Sequence, residues 1–114
     1  MVTIYHNPRC SKSRATMNIL EEKGIAPEII EYLETPPDAA TLDIFLGKLG
    51  MEPRDLMRKG EAPYKELGLK DAAKRREELI VAIVENPTLI ERPIVVNGEK
   101  ISLGRPPENV LDIL

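Results

Sequence analysis

The chain has 114 residues, 42% hydrophobic and 31% charged, with a formal net charge of −3. That is material for one domain with a single core (1–114), and it fits neither a disordered nor a membrane composition. Its longest apolar runs fall far short of the ~20 residues that span a bilayer, and the acidic balance gives no reason to expect nucleic acid as a partner.

Val2-Thr3-Ile4-Tyr5 is β-branched and aromatic and is stopped by Asn7-Pro8, so it reads as a strand. From Ser11, apolar Ala15, Ile19 and Leu20 predict a helix closed by Gly24, with Ser11 able to cap it. Ile29-Ile30-Glu31-Tyr32-Leu33 gives a second strand, and strand, helix and strand make a βαβ unit with parallel strands. Pro36-Pro37 breaks the chain. Asp38 then caps a helix carrying Leu42, Phe45, Leu46 and Leu49 at amphipathic spacing. Residues 51–70 read as short helical turns, with Leu56, Met57, Tyr64 and Leu67 partly buried. The basic run Lys74-Arg75-Arg76 is followed at once by Glu77-Glu78 and reads as a solvated helix start or loop. Leu79, Ile80, Ile83 and Val84 mark the next helix, ended by Asn86-Pro87. Pro93-Ile94-Val95-Val96, a turn at Asn97-Gly98, and Glu99 to Leu103 form a hairpin. A closing helix from Pro107-Glu108 carries Val110, Leu111 and Leu114.

This order, β-α-β, a helical insert and β-β-α, predicts an α/β protein with a mixed sheet. It resembles the thioredoxin-like fold, with the core over 1–35 and 90–114 and the insert over about 36–89. The resemblance makes Pro93 a cis-proline candidate facing the thiol; Xaa-Pro statistics alone favour trans.

The only cysteine, Cys10, falls at the start of the first helix, where the backbone dipole and unpaired N–H groups favour a thiolate and a bound anion. Arg9, Lys12 and Arg14 flank it. A single cysteine excludes an internal disulfide, and with a single histidine it argues against a protein-only metal site. No bound cofactor is expected. Residues 1–20 carry no continuous apolar segment of a secretion signal, and a reducing, cytoplasmic location is expected.

A dithiol exchanger needs a second cysteine where this chain has Ser13. That serine cannot close a disulfide, though its hydroxyl can donate to the thiolate. Two-electron chemistry at Cys10 therefore needs an outside thiol, for which glutathione is the natural candidate. A cysteine phosphatase would need an arginine where this chain has Thr16. Arg92, next to Pro93, reads as an anion-binding residue; Arg58 and Arg105 on their own read as surface arginines. His6 is either a structural histidine of the loop or a nearby cation or proton donor that tunes Cys10.

Thr3-Ile4-Tyr5-His6-Asn7-Pro8, Cys10, Ser13-Arg14, Tyr32-Leu33-Glu34, Leu56-Met57-Arg58-Lys59, Arg92-Pro93-Ile94-Val95-Val96 and Arg105-Pro106 together resemble the glutaredoxin-coupled arsenate reductase (ArsC-like) family over nearly the whole chain. The residues around the nucleophile and the Ser102-Leu103-Gly104 run are closer to a housekeeping branch of that family. The resemblance implies Cys10 as the nucleophile, with Arg58, Arg92 and Arg105 holding the oxyanion. It implies support of the thiolate by His6, Ser13 and Arg14. It implies arsenate or a similar oxyanion as substrate, glutathione as co-substrate and glutaredoxin as partner. Two other readings stand beside it: a glutathione-dependent thiol oxidoreductase of another substrate, and a redox-responsive regulator or adaptor without arsenate turnover.

Overall fold

The computed structural model describes residues 1–114, which divide into two compact units: Met1–Thr35 with Arg92–Leu114, and Pro36–Glu91. In the first unit, β1 (Val2–His6), β2 (Glu28–Glu31), β3 (Ile94–Asn97) and β4 (Lys100–Leu103) form one sheet in the order β2-β1-β3-β4. β1 runs parallel to β2 and antiparallel to β3, and β3 runs antiparallel to β4. The crossover between the parallel strands is helix α1 (Ser11–Glu22), the connection that parallel pairing requires. The mixed sheet with its crossover helix agrees with the thioredoxin-like expectation.

Register explains the core of this unit. Ile4 of β1 lies opposite Val95 of β3, and both are fully buried. Leu20 of α1 covers them together with Val110 and Ile113 of the C-terminal segment, and Met17, Ile19 and Ile25 pack around this cluster. Strand β2 forms one edge of the sheet. It is four residues long, with Glu28 and Glu31 at its ends and Ile29 exposed. A short, charged edge strand resists pairing with other chains.

Three expectations are corrected in detail. The closing helix is a 3-10 helix, Pro107–Ile113, that buries Pro107, Val110 and Ile113. A three-residue repeat stacks those positions on one side, so Leu111 and Leu114, placed inward by α-helical spacing, are exposed. The hairpin turn is Gly98-Glu99 and not Asn97-Gly98, because Asn97 still pairs with Lys100. Gly98 has φ +61° and no non-glycine residue has a positive φ, the pattern of a turn that wants glycine first. The Asn97 side chain is used elsewhere, its Nδ2 donating to the Ile113 carbonyl at 2.6 Å. The second strand ends at Glu31, and Tyr32 is buried in the turn that follows.

The second unit contains α2 (Ala39–Leu49), α3 (Ala62–Glu66) and α4 (Arg76–Glu85), with 3-10 turns at Pro53–Leu56 and Pro87–Leu89. Asp38 caps α2 by accepting from the Thr41 N–H at 2.8 Å, as its sequence position predicts. Helices α2 and α4 pack together through Leu42, Phe45 and Leu46 on one side and Leu79, Ile80 and Ile83 on the other. Arg76 joins them by an ion pair to Asp43 at 2.7 Å. Met57 and Ile90 form an antiparallel bridge, flanked by bonds from Arg58 N–H to the Leu89 carbonyl and from Glu91 N–H to the Leu56 carbonyl, both 2.7 Å. Leu67 is exposed, contrary to expectation. The chain reverses at Gly68, the Leu69 N–H bonds back to the Tyr64 carbonyl, and Leu69 is buried in its place.

One close approach holds the first unit together beside the thiol. A Cβ at Gly104 would lie 2.7 Å from Thr16 Oγ1 and 2.9 Å from Pro93 Cγ. Neither neighbour is free to move: Thr16 Oγ1 donates to the Lys12 carbonyl, and the Gly104 N–H donates to the Pro93 carbonyl. Gly104→Ala should therefore cost about 1–3 kcal/mol by overpacking, read as a lower midpoint in urea unfolding. An unchanged midpoint would show that the contact yields freely.

Candidate functional site

The loop that carries Cys10 is set by Asn7, the residue after β1. Its carbonyl accepts from the Cys10 N–H at 3.0 Å, its Oδ1 accepts from the Arg9 N–H at 3.0 Å, and its own N–H donates to Ser13 Oγ at 3.0 Å. These bonds place Cys10, and not Ser11, at the N-cap of α1, with φ −95° and ψ 124°. The Cys10 carbonyl accepts the Arg14 N–H, the first bond of the helix.

Cys10 is 8% exposed. Burial is the largest single influence on its thiol and opposes ionisation. The backbone N–H of Ser13, the Arg92 guanidinium by hydrogen bond and by charge, and the N–H of Lys12 together outweigh it and hold the thiol below its ordinary value. The two amides are the donors that an N-cap side chain normally serves. The side chains of Arg9, Lys12 and Arg14, which flank Cys10 in sequence, do not contribute to this shift.

Arg92 is 9% exposed, and its Nε is buried with no hydrogen-bond partner in the protein. Its carbonyl accepts from Arg105 Nε at 3.0 Å. Arg92-Pro93 and Arg105-Pro106 are both cis. Within one unit Arg92 thus acts on Cys10, precedes Pro93 through a cis bond and accepts from Arg105. Arg58 belongs to the other unit, where its Nη1 pairs with Glu61 Oε2 at 3.0 Å, both side chains being about a third exposed.

The remaining sequence-derived residues are engaged within the loop itself. Ser13 is fully buried, and its Oγ lies 2.6 Å from His6 Nδ1 while accepting from the Asn7 N–H. Its backbone, not its hydroxyl, acts on the sulfur. His6 is held below its ordinary value: desolvation lowers it most, Glu31 raises it, and Arg14 lowers it. It is therefore a neutral hydrogen-bonding group in the loop at neutral pH and not a cation beside the thiol. Arg14 Nη1 donates to the Pro8 carbonyl at 3.0 Å, so it braces the loop. Sequence reading missed Thr16 and Gly104 as the contact that seats Pro93 against α1; a glycine directly before Arg105-Pro106 was the available signal. No group of three or more His, Cys, Asp or Glu side chains is placed to hold a metal ion.

A single thiol at the N-terminus of a crossover helix, acted on by an arginine that precedes a cis-proline, defines a one-cysteine protein of thioredoxin-like fold. The ArsC family model matches residues 5–113, and the chain belongs to that family. It is 59% identical to the uncharacterized protein YfgD of Escherichia coli K12, over 99% of this chain and 96% of that one. It is 49% identical to an arsenate reductase of Haemophilus influenzae, over 99% and 98% of the two chains. Among solved structures, an arsenate reductase from Vibrio cholerae superposes with a TM-score of 0.95 at 52% identity, covering 99% of this chain and 97% of that one.

The lowered thiol sets a pH dependence of stability. Between the folded and the ordinary thiol values the unfolded chain holds more protons, so stability rises with pH across that window. The contribution is complete above the ordinary value and is lost as pH falls through the folded one. Urea titrations across this range should show the rise, and Cys10→Ser should remove it; an identical slope in the variant would place its origin elsewhere. His6 gives a slope of the same sign at lower pH. Its neutral form is favoured in the fold, so that contribution is lost as pH falls below the ordinary histidine value and through the folded one. Ser13→Ala should cost about 1–3 kcal/mol by stripping partners from the Asn7 N–H and His6, again measurable by urea unfolding.

Proposed function

We propose that the protein is an arsenate reductase of the glutathione and glutaredoxin type, acting in a reducing compartment. The observation that carries this reading is the Arg92 guanidinium. It acts on the Cys10 sulfur by hydrogen bond and by charge, and its own Nε–H is buried and unpaired, so it couples a nucleophile to a donor with capacity left for an oxyanion. The relatives named arsenate reductase support the choice of oxyanion.

The Cys10 thiolate attacks arsenic, a sulfur–arsenic bond forms, and an oxygen leaves as water after protonation. Arg92 and Arg105 offer planar donor forks to the arsenate oxygens, and Arg58 is assigned the third contact by family resemblance. Because the fold supplies no second thiol, glutathione attacks the Cys10 sulfur. The sulfur–arsenic bond breaks with its electron pair going to arsenic, arsenite departs, and Cys10 is left as a mixed disulfide with glutathione. Two thiols are oxidised while arsenic gains two electrons. A glutaredoxin thiolate then takes the glutathionyl group and frees the Cys10 thiolate.

Purified protein with glutathione and glutaredoxin should form arsenite from arsenate, and Cys10→Ser should abolish the reaction. Arg92→Ala should lower kcat/KM for arsenate about a hundredfold or more, as for loss of one preorganised oxyanion donor. Wild-type protein that turns over mixed disulfides but leaves arsenate untouched would move the assignment to a thiol oxidoreductase of another substrate.

A further inference from the structure

A cavity of about 250 Å³ opens beside the nucleophile loop, between Asn7-Pro8-Arg9 and the segment from Glu31 to Glu34 that ends β2. Its walls carry both signs of charge within a small space: the Arg9 guanidinium on the loop, and the carboxylates of Glu31 and Glu34 opposite, with Leu33 as an apolar surface. The Arg9 side chain makes no hydrogen bond or ion pair with the rest of the protein; only its backbone N–H is engaged, on Asn7 Oδ1. Neither Arg9 nor Glu34 contributes to the Cys10 shift, so their charges are not consumed in activating the thiol.

We propose that this cavity docks the zwitterionic end of the outside thiol, a small peptide thiol such as glutathione that bears a free α-carboxylate and α-ammonium. This rests on the reading of Cys10 as a one-thiol site completed from outside. Arg9 takes the carboxylate, Glu31 and Glu34 take the ammonium, and Leu33 meets the methylene stem. Arg9 directly precedes Cys10, so their Cα atoms are about 3.8 Å apart, and a three-residue peptide reaches about 10 Å. A thiol held at Arg9 can therefore present its sulfur to Cys10, converting an encounter in solution into a reaction between neighbours. Exposed ion pairs are individually weak, which suits a co-substrate that must depart as part of a disulfide.

The test uses full-length protein and no arsenate, so it reads this site even if arsenate proves not to be the substrate. Reduced protein is mixed with oxidised glutathione. The Cys10 thiolate attacks one sulfur, the original disulfide breaks, Cys10–S–SG forms and glutathione thiolate leaves; the adduct is followed by mass spectrometry. Hydroxyethyl disulfide, which carries no charge, is the control. Arg9→Ala and Glu34→Gln should each slow the glutathione reaction about threefold, and about tenfold together, the size expected for exposed ion pairs. Both variants should leave the control rate unchanged. Glu34→Gln is the deciding arm, because simple steering of an anionic disulfide would make that variant faster. A faster or unchanged glutathione reaction in Glu34→Gln, or equal slowing of both disulfides, would overturn the proposal.

Discussion

A thiol withdrawn from water is pushed up by burial, and here two backbone amides and one guanidinium together outweigh that effect. The amides are those of the first turn of α1, supplied by placing Cys10 at the N-cap. The guanidinium is that of Arg92, which comes from the far end of the sequence. Burial alone would push the thiol up, and the Arg92 part of the opposing effect depends on the segment before β3 staying seated against α1. That seating depends on Gly104, where the chain passes so close to Thr16 and Pro93 that a methyl group does not fit. Catalytic readiness and packing are one constraint here.

The sheet order follows from features that are plain in the sequence: two β-branched runs around an amphipathic helix, and a later hairpin. The position of the nucleophile at a helix start, and of Arg92 beside Pro93, could be read in the same way because both depend on neighbours in sequence. What could not be read were properties that depend on which of several periodicities or partners wins. The segment 107–113 has apolar residues compatible with either a 3.6 or a 3.0 repeat, and packing on the sheet selected the tighter one. Asn97-Gly98 is a strong turn signal, but Asn97 was claimed by pairing with Lys100 and by the Ile113 carbonyl.

The same limit applied within the site. Basic and polar residues surround Cys10 in sequence, which invited the reading that they act on it directly. In the structure they divide the work. Asn7 shapes the loop, Arg14 braces it at Pro8, and Ser13 turns its hydroxyl to His6 and Asn7, while the thiol is lowered by backbone amides and by Arg92, distant in sequence. Sequence proximity identified the residues of the loop without identifying their directions. Arg58, matched by family resemblance alone, belongs to the helical unit, where Glu61 holds it.

The buried Ser13, where a dithiol protein carries its resolving cysteine, has a further consequence. A two-cysteine protein stores an oxidising event in its own covalent structure, as a ring that opens and closes. This chain has no such store. Every disulfide of Cys10 is a conjugate with a second molecule, heavier than the reduced chain and without the thiol that Arg92 lowers. Its redox state is therefore a matter of composition, fixed by what the surrounding pool of thiols and disulfides contains, and the protein reports on that pool each time it is used.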